Sequence, residues 1–171
     1  MRDILVLTVV GADRTGLVQL LADRIAATGG NWEESRMARL AGQFAGILLV
    51  TIDAERGDEL VSSLRKLDDA GLQISVCRTE APVSVPATIR IRLELTAHDR
   101  PGIVRDVSAI LAERSINVEE LETEVASAAM AGDRMFTARA LLVASPQTSL
   151  PDLRSRLEAL GGELMLDLAI E

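Results

Sequence analysis

The feature that most constrains the fold is an internal repeat, in which the second half of the chain resembles the first. An offset of 86 residues aligns residues 13–18 (DRTGLV) with residues 99–104 (DRPGIV). Farther along, an offset of 93 aligns residues 48–50 (LLV) with residues 141–143 (LLV). The second copy is therefore longer, and we place its extra residues between 126 and 134. A repeat of this length predicts two copies of one small domain.

The repeat also indicates the domain boundaries. We predict a first domain at residues 1–80, a linker at 81–87 and a second domain at 88–171. The linker contains Pro82 and Pro86, which lack a backbone donor and favour an extended, fairly stiff chain.

Each copy carries the same order of hydrophobic patterns. Apolar residues first alternate with polar ones, as at Ile89, Ile91 and Leu93, which predicts a strand with one solvated face. Apolar residues at helical spacing follow, and then two strands, a second helix and a last strand. We therefore predict an α+β protein with two tandem ferredoxin-like βαββαβ domains, each a four-stranded antiparallel sheet with two helices on one face. Domains this small bury little surface alone, so we expect the copies to pair and the chain to form a homo-oligomer, most simply a homodimer.

Charge and residue content exclude several classes of function. Lys and Arg number 18 against 26 Asp and Glu, a net charge of −8 that argues against direct binding of nucleic acid or of an anionic membrane. The chain has one histidine, one cysteine and no nucleophile, phosphate-loop or dinucleotide motif, so we expect no enzyme, no cofactor and no metal site. With no apolar stretch long enough to span a membrane and no signal peptide, we expect a cytoplasmic protein.

Both copies keep a polar motif that the hydrophobic pattern does not require. An Asp-Arg-(Thr or Pro)-Gly turn joins the first strand to the first helix, and an asparagine follows the glycine by 15 residues. Glycine at a helix start exposes N–H groups that suit a carboxylate, aspartate can hold an ammonium group, and the asparagine amide both donates and accepts. Because the helix runs back along the strand, we expect the turn and the asparagine to lie near the same corner. The candidate ligand-binding residues are Asp13, Arg14, Thr15, Gly16 and Asn31, and Asp99, Arg100, Pro101, Gly102 and Asn117.

The same residues also serve as folding signals. Asp and Thr cap helices, Pro is favoured at the first helical position, and Gly permits tight turns. A duplicated fold keeps duplicated turns, so repetition of the motif does not decide between the two interpretations.

The whole pattern resembles the ACT domain, a family of small regulatory modules that bind amino acids at interfaces between paired domains. The segments that carry the resemblance are residues 99–104 (DRPGIV), residues 116–118 (INV) and their counterparts in the first copy. The resemblance covers essentially the whole chain and implies that the candidate residues bind a small amino acid, with glycine or serine favoured. The first copy, at residues 11–18 and 30–40, is more similar still to a transcription regulator of this family, which implies a partner transcription factor.

Two other functions remain open on the sequence alone. One is a ligand-free module that binds its partner through an exposed sheet edge or helix face. The other is a small enzyme in which Asp13, Asp99 or Glu34 serves as acid or base, since ferredoxin-like dimers can be catalytic.

Four further features have local interpretations. We interpret His98 as a solvated loop residue, with a place in a ligand pocket as the alternative, and Cys77 as a small buried residue of the last strand. Trp32 fits either an interface or the core. Residues 119–124, which carry four glutamates, predict a solvated edge strand, because charges protect sheet edges from aggregation.

Overall fold

The repeat seen in the sequence is also a repeat of structure. A computed structural model of the protein describes residues 2–79, 87–127, 134–161 and 164–170. The chain divides into two units, Met1–Val83 and Ser84–Glu171. Residues 81–86 of the predicted linker lie outside the described residues, as do residues 128–133, which are most of the segment 126–134 in which we placed the extra length of the second copy.

The first unit contains the six elements that the sequence predicts, in the predicted order. Two short 3-10 turns, Ala54–Arg56 and Asp68–Ala70, flank its second helix. The elements are β1 (Arg2–Ala12), α1 (Leu17–Ala27), β2 (Asn31–Leu40), β3 (Gln43–Asp53), α2 (Gly57–Arg65) and β4 (Leu72–Thr79).

The second unit repeats this order. The six elements are β5 (Ile89–His98), α3 (Ile103–Glu113), β6 (Asn117–Ser127), β7 (Arg134–Ala144), α4 (Leu150–Glu158) and β8 (Met165–Ile170). The predicted fold class is therefore confirmed: each unit is a βαββαβ domain with one four-stranded antiparallel sheet, of order β2-β3-β1-β4 in the first and β6-β7-β5-β8 in the second.

Alternation along the strands explains why the helices cover only one face of each sheet. Leu5, Leu7 and Val9 of β1 are fully buried, whereas the residues between them are not. The buried side chains pack with Leu21 of α1 and Leu64 of α2 in one apolar core. The second unit has an equivalent core under α3 and α4.

The strand register corrects one detail of the repeat. Val50 lies opposite Leu5, and Leu142 lies opposite Ile91, so the third strands of the two units are related by an offset of 92 and not 93. An offset of 93 would exchange the two faces of the strand, because side chains alternate with a period of two. The extra length therefore divides between the β6–β7 connection and the segment that leads into α4.

The structure tests three of the local interpretations and contradicts one of them. Residues 119–124 do form part of an exposed edge strand, β6. Trp32 is partly buried and packs against the core of the first unit. The expectation that Cys77 is buried is wrong: Leu72 is buried, Ile74 and Val76 are partly buried on the helix side, and Cys77 points the opposite way and is exposed.

We predict that Gly11→Ala destabilises the first unit by about 1–3 kcal/mol, the usual cost of overpacking. Gly11 is buried, and a Cβ atom there would lie 2.5 Å from the carbonyl oxygen of Gly71. Urea unfolding followed by fluorescence of Trp32, which is the one tryptophan of the chain and lies in this unit, measures the change. Gln19→Ala, an exposed change on α1 of the same unit, is the control, and equal midpoints for the two variants would contradict the prediction.

Candidate ligand-binding loops and asparagines

The two predicted turns are the loops that join β1 to α1 and β5 to α3. In each loop the glycine is the residue that precedes the helix, with φ of +91° at Gly16 and +86° at Gly102. This left-handed conformation favours glycine. Within the described residues neither helix start receives a side-chain capping hydrogen bond. The folding-signal interpretation therefore holds for the glycines and not for capping by Asp or Thr.

The aspartate of the first loop is bound to the β2–β3 hairpin. Its backbone N–H donates to the carbonyl oxygen of Gly42 at 2.9 Å. Its carboxylate forms an ion pair with Arg39, with 2.7 Å between Asp13 Oδ2 and Arg39 Nε. Asp13 thus has a structural role in addition to any part in ligand binding.

The aspartate of the second loop, Asp99, is bound in the same way, but its arginine partner comes from a different strand. The N–H of Asp99 donates to the carbonyl oxygen of Arg134 at 2.8 Å, and Arg134 Nε lies 3.2 Å from Asp99 Oδ2. Sequence reasoning missed both Arg39 and Arg134. The repeat does not reveal them, because Arg39 is the next-to-last residue of β2 whereas Arg134 begins β7.

The loop arginines differ in their partners. Arg14 donates from Nη2 to the carbonyl oxygen of Ala70 at 3.2 Å, next to the start of β4. Arg100 instead forms an ion pair with Asp106 of α3, with 2.7 Å between Nη1 and Oδ2. Arg100, and with it Arg105, holds the pKa of Asp106 below its usual value.

The two loops also differ in how open they are to a ligand. Apart from the two adjacent residues, a Cβ atom built on Gly16 would meet no described atom within 4 Å, and α1 has no acidic residue in its first turn. A Cβ atom on Gly102 would lie 3.1 Å from the guanidinium of Arg105, and the first turn of α3 contains Asp106. The first loop therefore presents the more accessible helix start, and its helix has no carboxylate in the first turn.

Asn31 begins β2 and is held in place by its neighbours. Its amide Nδ2 donates to Glu33 Oε1 at 2.8 Å, and Thr51 Oγ1 donates to the same oxygen at 2.7 Å. These hydrogen bonds, that of Thr51 first and that of Asn31 second, lower the pKa of Glu33. Glu33 occupies a β-bulge between Trp32 and Glu34. Both copies carry this glutamate, so the repeat contained the signal.

Asn117 has a different environment, although it too precedes a bulged glutamate. Glu119 forms an ion pair with Arg90 at 3.3 Å, and Val143 lies opposite Asn117 where Thr51 lies opposite Asn31. In the part of the chain that the structure describes, the Asn117 side chain has no hydrogen bond. Only the first asparagine is thus oriented by its own unit.

The expectation that loop and asparagine share a corner is wrong. Asn31 lies opposite Thr51, whereas Ala12, which leads into the loop, lies opposite Gln43. The two positions are eight residues apart on β3, about 26 Å at the rise of a strand. The second unit shows the same separation. The reason is topological: α1 returns the chain to the end of the sheet where β1 began, and β2 starts there.

A cleft of about 280 Å³ borders the second loop. It is lined by His98, Arg100 and Ile103 on one side and by Leu160 and Leu164 on the other. His98 is exposed at the end of β5, so it lies beside the loop and borders this cleft.

Two kinds of feature are absent from the described residues. No group of three His, Cys, Asp or Glu among them is placed to hold a metal ion. No helix in the same residues has the length and apolar character needed to cross a membrane.

Comparison with protein families places both halves of the chain in the same family. An ACT domain model matches residues 3–77, and a second ACT domain model matches residues 91–162. The matched segments include both loops and both asparagines.

Comparison with individual proteins agrees with this. The chain is 29% identical over 119 residues to the glycine cleavage system transcriptional repressor of Escherichia coli (strain K12), a match that covers 68% of this chain and 62% of that protein. A crystal structure of an unknown protein from Galdieria sulphuraria is 33% identical, with a TM-score of 0.86 over 100% of this chain and 99% of that one. A second crystal structure, assigned by inference as a glycine cleavage system transcriptional repressor, is 19% identical with a TM-score of 0.71, covers 100% and 98% of the two chains, and shows the shared fold.

We predict that Thr51→Val raises the pKa of Glu33 towards its ordinary value of 4.5 by removing the stronger of its two hydrogen bonds. Val143 occupies the matching position of the second unit, so the fold accommodates valine. Because the folded-state pKa is lowered, the stabilising contribution of Glu33 is present above pH 4.5 and is lost as the pH falls through the folded value.

The measurement is a carboxyl-carbon NMR titration of Glu33 in the wild type and the variant. Thr8→Val, which adds the same side chain at a residue without a bond to Glu33, is the matched control. Identical titration of Glu33 in the wild type and in Thr51→Val would contradict the assignment.

Proposed function

We propose that this chain, which belongs to the ACT domain family through both of its halves, is a regulatory protein that binds a small amino acid. Glycine and serine are the favoured ligands, and the partner that reads the bound state is a transcription factor. The relative described as a glycine cleavage system transcriptional repressor supports a role in regulation.

The observation that carries the proposal is the open helix start at Gly16. The N-terminus of a helix concentrates unpaired N–H groups and partial positive charge, which suit a carboxylate. At α1 no acidic residue of the first turn occupies that position, and the glycine lets the ligand approach the backbone closely. We therefore assign the ligand carboxylate to the first loop.

Asn31 supplies a hydrogen-bond acceptor for the ammonium group of an amino acid. Glu33 takes a hydrogen bond from the amide nitrogen of Asn31, which leaves the amide oxygen to accept one from the ligand. The N–H donors of the loop suit the carboxylate of a zwitterion, and the acceptor oxygen of the asparagine suits its ammonium group.

The separation of about 26 Å along the sheet limits how such a site is assembled. One small amino acid cannot reach from the loop to the asparagine of the same unit. The two groups can share a ligand only if they belong to different copies of the domain, in keeping with the interface location that the family resemblance implies. Ligand binding then depends on how domains associate, which is what a sensor requires.

Action through a partner agrees with the charge of the chain. A net charge of −8 disfavours direct contact with DNA phosphates, so a transcriptional effect needs an intermediary. A coupling of about 1–3 kcal/mol between ligand and partner is sufficient, because it changes partner affinity roughly 5- to 150-fold.

We predict that glycine or serine stabilises the protein in a thermal-shift screen of the twenty amino acids. A ligand at 100 times its Kd adds about 2.7 kcal/mol, which raises the Tm by several degrees for a chain of this length. The absence of any shift at millimolar concentrations would overturn the proposal.

Thr15→Asp tests the assignment of the carboxylate to the first loop. Thr15 is exposed, and a second carboxylate beside the α1 N-terminus repels that of the ligand, so we expect the Kd of the hit to rise at least about tenfold. Pro101→Asp makes the matched change in the second loop and is expected to have a smaller effect. A larger effect of Pro101→Asp would move the site to the second loop.

Asn31→Ala and Asn117→Ala test the predicted asparagines. Both side chains are exposed at the start of an edge strand, so the fold is expected to survive either change. We expect Asn31→Ala to abolish binding by isothermal titration calorimetry, and Asn117→Ala to show whether the second copy contributes. Normal binding by both variants would mean that the asparagine assignment is wrong.

A further inference from the structure

On the side away from its helices, the sheet of the first unit has an uncharged central area that is formed by three of its strands. Side chains directly opposite one another on antiparallel strands point to the same face, so the register identifies its members. We call the part formed by the three strands β3, β1 and β4 the neutral face. Its members are Ile4, Val6, Thr8 and Val10 of β1, Ala45, Ile47, Leu49 and Thr51 of β3, and Gln73, Ser75, Cys77 and Thr79 of β4.

The same face of the second unit is charged. At the positions that match Ile4, Val6 and Ile47 of the neutral face, it has Arg90, Arg92 and Arg139. Its members are Arg90, Arg92, Glu94 and Thr96 of β5, Thr137, Arg139, Leu141 and Val143 of β7, and Met165, Asp167 and Ala169 of β8.

The contrast shows that the fold does not require an apolar face. The βαββαβ fold forms equally well with arginines at these positions, as the second unit demonstrates. Yet Val10 is 46% exposed and Ile47 is 47% exposed in the first unit. A contiguous exposed apolar surface on one of two like domains indicates an interaction surface.

We propose that the neutral face binds a second copy of this chain, with the two sheets packed face to face. The charge of the chain favours this occupant. Two copies that each carry −8 repel one another, so they associate best through a surface without carboxylates at its centre. The neutral face is such a surface.

The edge of the neutral face is self-complementary. Glu34 and Arg36 of β2 lie beside it, on the same side of the sheet as Leu49 and Ile47. They form an exposed ion pair at 3.0 Å. A two-fold axis brings a glutamate of one copy towards an arginine of the other, as a symmetric interface requires.

The area of the face is sufficient for a dimer. The three strands of the neutral face and the adjoining strand β2, which carries Glu34 and Arg36, make four strands. Four strands about 4.8 Å apart, with four outward residues each, cover roughly 19 by 26 Å, or roughly 500 Å² per copy. Two copies then bury roughly 1,000 Å², the lower limit for a specific interface. Two sheets packed about 10 Å apart would enclose the side chains of both faces in one apolar layer.

The test is Ile47→Arg, which gives the first unit the residue that the second unit already has at this position, so the variant is expected to fold. We expect multi-angle light scattering of the full chain to give twice the chain mass of 18.3 kDa for the wild type. For Ile47→Arg we expect half the wild-type mass, with an unchanged far-UV circular dichroism spectrum. Thr137→Arg, which adds an arginine to the charged face, is the matched control and should keep the wild-type mass.

Cys77 provides a second readout, because it is the one cysteine of the chain and lies on the neutral face. We expect its reaction with a thiol reagent to be slow in the wild type and at least about tenfold faster in Ile47→Arg, since dissociation exposes the thiol. A wild-type monomer, or a variant that keeps both the wild-type mass and the slow thiol reaction, would overturn the proposal. So would a thiol that reacts equally fast in the two proteins.

Discussion

Each unit depends on the hydrogen bonding of its first strand, which lies inside the sheet and pairs with a neighbour on both sides. β1 pairs with β3 and β4, and β5 pairs with β7 and β8. A strand held by two ladders and by fully buried leucines cannot shift without loss of both. The C-terminal end of the first strand is therefore held in place. The hairpin that joins the second strand to the third strand lies beside this end. This is why Asp13 and Asp99 are both bonded to a hairpin, although the arginines that pair with them differ.

Much of the fold could be predicted from the sequence because it follows from local periodicity. The alternating and helical patterns occur in both copies, so the prediction of each element in one copy was supported by the same prediction in the other. The same alternation also placed Cys77 outward, since Leu72, Ile74 and Val76 point inward, but the small apolar character of cysteine led to the opposite expectation. The offset was harder to predict, because a run such as Leu48-Leu49-Val50 reads as apolar in either register.

The candidate site was less predictable because it depends on distances between segments. The repeat identified the loops and the asparagines, and we expected the helix to run back along the strand. That return places the asparagine at the opposite end of the sheet from the loop, and not at the same corner as we expected. The repeat also could not show Arg39 and Arg134, which reach the same aspartate position from different strands. Glu33 was visible as a residue common to both copies. Its role depends on Thr51, which only pairing across strands brings near.

The attachment of the first loop to the hairpin has a consequence for communication within the unit. Asp13 is tied to Gly42 by its backbone and to Arg39 by its side chain, on the two sides of the hairpin tip. A loop that changes position when it is occupied must therefore carry the tip with it. Leu40, at that tip, is 81% exposed. A small molecule that displaced the first loop would thereby change the outline of the protein surface at this tip.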